Sequence, residues 1–154
     1  YDRGDDRVRK QIYKDYLAHL KHVNNWDLVD VSAHRIVGKH LENSNRALLN
    51  RLVVSKNLWD RRVAVVATFH FIRNGDYADI LRLAEKLLRD KEDLMHKAVG
   101  WMLREMGKRD VLPLKRFLLK YHDRMPRTML RYSIEKFSER ERKAILRGDV
   151  LFLE

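Results

Sequence analysis

Apolar residues recur at helical spacing along almost the whole chain, and nowhere do they alternate long enough to form a half-buried strand. Six glycines and two prolines in 154 residues leave few places for such a chain to turn. Helix-on-helix packing is therefore the expected architecture. The spacing predicts helices over 5–22, 26–41, 44–54, 57–73, 77–89, 92–107, 110–121, 126–137 and 139–147. The breaks between them have a chemical basis. "NN" at 24–25, "ENSN" at 42–45 and "NGD" at 74–76 are turn and capping signals, and "GKRD" at 107–110 offers a glycine stop followed by an aspartate cap. Pro126 suits a first helical turn, where its missing N–H costs little.

Consecutive helices this close together in sequence form antiparallel pairs. A pair with its turns takes roughly 35–40 residues, close to the armadillo and HEAT range of about 40–47. The segments "LRLAEKLLRDKED" and "LKRFLLKYHDRMP" share a pattern but not residue identities. A single all-α domain over residues 1–154 is expected, built as a HEAT-like helical-repeat solenoid with a concave basic face. A compact helical bundle is the alternative architecture.

Charge narrows the function. Thirty-three Lys and Arg against twenty-two Asp and Glu give a formal net charge of +11. Such an excess commonly serves a polyanion, most often nucleic acid or an anionic membrane face. Cysteine is absent, so disulfides, zinc–thiolate sites and thiol catalysis are excluded, and a reducing cytoplasm fits. No apolar run approaches the roughly 20 residues of a membrane span. No Gly-rich phosphate loop, nucleophile elbow or HExxH motif occurs. His19 and His22, three apart, lack a nearby carboxylate that would complete a metal-binding set, and neither a metal nor a cofactor is expected.

Four stretches carry chemistry. In "NNWDLVD" (24–30) Trp26 and Asp30 stand one helical turn apart on one face, behind asparagines able to cap the helix. In "NLWDRRVAVVATFHFIR" (57–73) Arg62 has Leu58, Trp59, Val65 and Val66 as its helical neighbours, so it projects from an apolar stripe, whereas Arg61 sits at a more ordinary edge. A guanidinium so placed needs an anion, either an internal carboxylate or a phosphate. In "MHKAVGWMLREMGKRD" (95–110) Trp101 is framed by Lys97 and Arg104, which suits stacking beside neutralised phosphates or a cation over an interhelical ring. Gly100 beside it lets another helix approach closely. In "RMPRTMLRYSIEKF" (124–137) Arg124, Arg127 and Arg131 recur on one face. With Lys97, Arg104, Lys108 and Arg109 they form a candidate stripe along a phosphate backbone, or a simply solvated surface.

Together "NNWDLVD", "LWDRRVAVVATFHFIR", "HKAVGWMLRE" and "MPRTMLRYSIEKF" resemble the bacterial DNA alkylation repair family, the AlkD-like glycosylases, from about residue 5 to residue 147. The resemblance implies HEAT-like repeats and removal of cationic N3- and N7-alkylated purines from double-stranded DNA by cleavage of the N-glycosidic bond. It implies further helices preceding the point where this chain starts. The family's tryptophan–aspartate pair falls on Trp26 and Asp30, its arginine on Arg62 and its last tryptophan on Trp101. A monomer acting on duplex DNA in the cytoplasm, without a membrane partner, is the corresponding expectation. A non-catalytic HEAT-like binder of damaged or branched DNA is the second reading, and a protein-interaction scaffold the third.

Overall fold

The structure is a computed structural model and describes residues 1–153. Among the described residues nine α-helices follow one another: α1 (Asp6–Ala18), α2 (Trp26–Ala33), α3 (Ala47–Leu52), α4 (Leu58–Arg73), α5 (Ala78–Lys86), α6 (Asp93–Gly107), α7 (Val111–Tyr121), α8 (Arg127–Ser133) and α9 (Glu139–Leu146). No strand occurs among the described residues, and none of their helices is long and apolar enough to cross a membrane.

The punctuation works as its chemistry dictates. Asn25, Asn45, Asn57, Asp76 and Asp110 each accept a hydrogen bond from the backbone N–H two residues on, occupying donors that a helix start leaves free. Ser138 and Glu141 close a reciprocal capping box on α9. Pro126 lies at the N-cap of α8, one residue before the first turn expected for it.

Several helices end sooner than periodicity predicts. α1 stops at Ala18 and gives way to a 3₁₀ turn at Leu20–His22, and α5 gives way to another at Leu87–Arg89. α2 widens after Ala33 into a π turn at His34–Gly38. α3 keeps only six residues, and α8 ends at Ser133, whose hydroxyl donates to the carbonyl of Leu130 inside its own last turn.

The helices form two layers. α2, α4, α6 and α8 lie side by side in chain order, while α3 and α5 pack on α4, α5 and α7 on α6, and α9 on α8. This is the stacked-pair arrangement expected of a helical repeat. The even-numbered helices run parallel in a fixed register of 32 residues: Asp30 meets Arg62, Arg62 meets the carbonyl of Leu94, and Phe69 meets Trp101. The register is shorter than the 35–40 residues expected, because the odd-numbered helices α3 and α5 are only six and nine residues long. α4 is flanked on nearly every side, and Arg62 through Thr68 with Phe71 and Ile72 are all buried. Trp59 is only partly buried, and Leu81 likewise packs on the margin of the core, whereas Leu83, Leu87 and Leu88 lie within it.

Two glycines set the spacing of the even layer. A Cβ on Gly38 would collide with the carbonyl oxygen of Ala67 and stand 2.8 Å from Cβ of His70. A Cβ on Gly100 would stand 2.5 Å from Cβ of Tyr132 and 2.7 Å from the carbonyl oxygen of Met129. Neither gap admits a side chain, so α2 can close on α4 and α8 on α6 only with glycine there. The close approach anticipated at Gly100 is thus with α8.

Candidate active site

Asp30 projects from the second turn of α2 toward α4, and Arg62 answers it from the second turn of α4. The guanidinium grips the carboxylate with both arms, Nε to Oδ1 at 2.9 Å and Nη2 to Oδ2 at 2.8 Å. Its third corner, Nη1, donates to the carbonyl oxygen of Leu94 in α6 at 2.5 Å. One side chain thereby ties three parallel helices together. The two partners differ in exposure: the Arg62 side chain is 6% exposed and that of Asp30 18%. The cation is sealed in and the carboxylate faces outward, as a paired but accessible anion requires. Of the two anions open to Arg62 from its sequence setting, the structure selects the internal carboxylate.

This pair floors a recess of about 360 Å³ walled by Trp26, Leu94, Lys97, Trp101, Arg104 and Tyr132. The four residues Trp26, Asp30, Arg62 and Trp101, scattered over 76 positions of sequence, therefore meet in one place. The two tryptophans differ in setting. Trp26 is 52% exposed. Trp101 is partly buried against the core, its ring 6.0 Å from that of Phe69. Trp26 is thus the more exposed wall and Trp101 the packed one.

The basic residues divide. Lys97 and Arg104 line the recess. Lys97 pairs with Asp93 at 3.1 Å, which pushes the ammonium pKa above its usual value. Arg104 pairs with Glu135 of the loop after α8. Lys108 and Arg109 are drawn onto Glu105, each at 3.1 Å, and the Arg109 guanidinium also sits 5.7 Å from the centre of the Phe69 ring. Arg124 lies over Tyr121, Arg127 donates to the carbonyl of Leu146 at 2.6 Å, and Arg131 is exposed without an ion-pair partner among the described residues. None of these last five lines the recess.

Two features escape a reading of the sequence. Tyr132 completes the wall opposite Trp101, and only the 32-residue register that sets it against Gly100 reveals this. Arg61 is no edge residue. Its Nε donates to Asp90 at 2.8 Å, with side-chain exposures of 13% and 6%, and its Nη1 donates to the carbonyl of Ser55 at 2.9 Å. Its partner lies 29 residues away, in the loop before α6, so local helical neighbours cannot show it. His19 and His22 lie with ring centres 6.3 Å apart, and no group of three potential metal-ligating side chains occurs among the described residues.

A family model described as DNA alkylation repair enzyme matches residues 1–137. Searches of curated proteins and of solved structures return no significant match. The matched span contains every residue of the recess and ends on Phe137, the last residue of the "MPRTMLRYSIEKF" motif. With nearly nine-tenths of its length under that model and its four motifs folded onto one recess, the chain belongs to the DNA alkylation repair enzyme family.

Proposed function

We propose that this chain is a DNA glycosylase of base excision repair, acting on cationic N3- and N7-alkylated purines in duplex DNA as a monomer. The observation that carries this reading is a partly exposed carboxylate, locked by a buried guanidinium, in one recess with two tryptophans.

A purine alkylated at N3 or N7 already carries positive charge and departs without prior protonation. As the glycosidic bond breaks, positive charge develops at C1′ of the deoxyribose. Asp30 supplies the opposite charge at a fixed position and orients the water that attacks C1′. Arg62 keeps the carboxylate in one rotamer, so little reorganisation is needed when the charge appears. Trp26 and Trp101 present electron-rich faces to the sugar, which further favour a cation between them. Lys97 and Arg104 at the rim are suited to hold the phosphates on either side. With Trp26 half exposed, the recess suits a sugar better than an enclosed purine.

Base release from alkylated duplex DNA under single-turnover conditions tests this. Release of 7-methylguanine or 3-methyladenine by the wild type, abolished in Asp30→Ala with duplex binding largely kept, supports the assignment. Binding without release by the full-length protein would establish a non-catalytic binder of damaged DNA instead.

A further inference from the structure

The even layer carries a second cationic hollow, one to three helical turns from the recess. Trp26, Asp30 and His34 succeed one another at four-residue spacing along α2 and its π turn. Arg62, Phe69 and Arg73 share a face of α4 at offsets of seven and eleven. Beyond Trp101 the ridge continues as an unbroken line of rings. Trp101 lies 6.0 Å from Phe69, and Phe69 meets His34 edge-on at 5.3 Å. On the far side of His34 opens a hollow of about 470 Å³ lined by Asp2, His34, Arg35, Lys39, His70, Arg73 and Asn74.

Its charges are poorly balanced. Asp2 from the N-terminal segment takes up Lys39 at 2.7 Å, and Glu42 stands 3.3 Å from His70 and accepts from Asn74 at 2.8 Å. Arg35 and Arg73 have no carboxylate partner among the described residues. Arg73 instead lies 6.0 Å from the centre of the Phe69 ring, on the line of aromatic side chains. Two permanent guanidiniums thus face one hollow beside a half-buried imidazole, and neither makes an ion pair with a carboxylate among the described residues. That arrangement fits an anion from outside the chain.

We propose that this hollow is a phosphodiester-binding site for the DNA strand that leaves the recess, with Arg35 and Arg73 as its fixed cations and His34 as its proton-accepting member. The proposal rests on the assignment of the recess to DNA, since the ring line joins the two. Its contribution is sequence-independent, because a phosphate carries no base identity.

A protonation linkage follows from the surroundings of His34. Burial, then the charges of Arg35, Arg73 and His70, hold its imidazole below the usual histidine range, with Asp2 opposing them more weakly. Lys39 and Glu42, engaged with Asp2 and His70, complete the charged groups around the hollow. Without a ligand His34 is therefore neutral near pH 7. A phosphate brings the missing negative charge and raises its proton affinity, so a proton is taken from solvent as DNA binds. A group whose pKa rises on binding strengthens the complex as pH falls. A rise of one unit corresponds to about a tenfold gain in affinity below both values.

The test uses protein labelled with ¹³C and ¹⁵N in histidine, with the His34 ring assigned by comparison with His34→Gln. Its titration is followed alone, with an undamaged duplex of about a dozen base pairs, and with inorganic phosphate at the same concentration. The expected result is a rise of about one pKa unit or more with duplex alone, absent in the Arg35→Gln/Arg73→Gln double variant. Duplex affinity should rise about threefold more from pH 8 to pH 6 in the wild type than in His34→Gln, approaching about tenfold only at pH below both pKa values. Both substituted arginines are exposed, so the fold tolerates their loss. Duplex binding with an unmoved His34 curve, and unchanged affinity in the double variant, would overturn the site while leaving the glycosylase assignment intact. An equal shift with inorganic phosphate would overturn the DNA assignment of the hollow in favour of a free-anion site. A duplex-dependent shift in a protein that releases no base would sustain this site and remove the enzymatic reading of the recess.

Discussion

Arg62 spends its donors on two unlike partners, a carboxylate across one helix gap and a main-chain carbonyl across the next. Substitutions there and at Asp30 separate chemistry from scaffolding. Asp30→Asn keeps the shape but removes the charge and sets an amide N–H against the guanidinium. Base release should fall at least about 100-fold, the scale of losing one preorganised electrostatic contact, while duplex affinity changes by less than about threefold. Arg62→Lys replaces a planar fork with a point charge and loosens the carboxylate. Release should fall about tenfold with the cation retained. Arg62→Ala leaves Asp30 unpaired and frees the Leu94 carbonyl. Its cost in urea denaturation should be about 2 kcal/mol, below the ~3–5 kcal/mol of fully buried pairs because Asp30 can regain water.

At the scale of the helix, Gly100 is where the α6–α8 contact is decided. Alanine is the better helix former by about 1 kcal/mol, yet here its methyl would press on Tyr132 and on the Met129 main chain. Gly100→Ala should therefore destabilise by about 1–3 kcal/mol in denaturant unfolding, and weaken base release by displacing the Tyr132 wall. Helix by helix, much of this layer is legible from the sequence. Periodicity locates the nine helices of the described residues, and the asparagine and aspartate caps fall where turn chemistry places them. What periodicity misses is interior geometry. The π turn at His34–Gly38 has the same apolar pattern as an α-helix, and the 3₁₀ turns after α1 and α5 differ from an α-helix only in bonding each N–H to a carbonyl one residue nearer. The same limit holds at the site. Arg62 stands out because its own helix surrounds it with apolar neighbours. Tyr132 and the Arg61–Asp90 pair are invisible because their partners are fixed by register between helices.

For the whole molecule, charge sets two condition-dependent behaviours. A net charge of +11 on a DNA-binding chain makes affinity salt-dependent, and about six phosphate contacts would give a log–log slope near −5. Arg104→Gln should reduce that slope by about one, uniformly across DNA sequences. The second behaviour is acid unfolding. Burial pushes the Glu105 carboxyl up, but hydrogen bonds from Lys108 and Arg109 outweigh it and hold the group below the ordinary glutamate value of 4.5. Asp76 is held low chiefly by its hydrogen bond from Arg46. Groups with depressed folded-state pKa values contribute stability above their unfolded values and lose it as pH falls through the folded ones. The melting temperature should drop as pH falls below about 4.5, and Glu105→Gln should flatten that drop. The 32-residue register has one more consequence, for how such a chain can lengthen. A stack whose neighbours repeat at constant offset can accept another helix pair of matching length, since each new layer meets the old one as its predecessor did. The recess has no such freedom, because it draws Asp30, Arg62 and Leu94 from three successive even helices. A duplicated pair spliced between α4 and α6 would lengthen the scaffold and separate Arg62 from Trp101. The architecture is extensible from its ends, and its chemistry pins the middle.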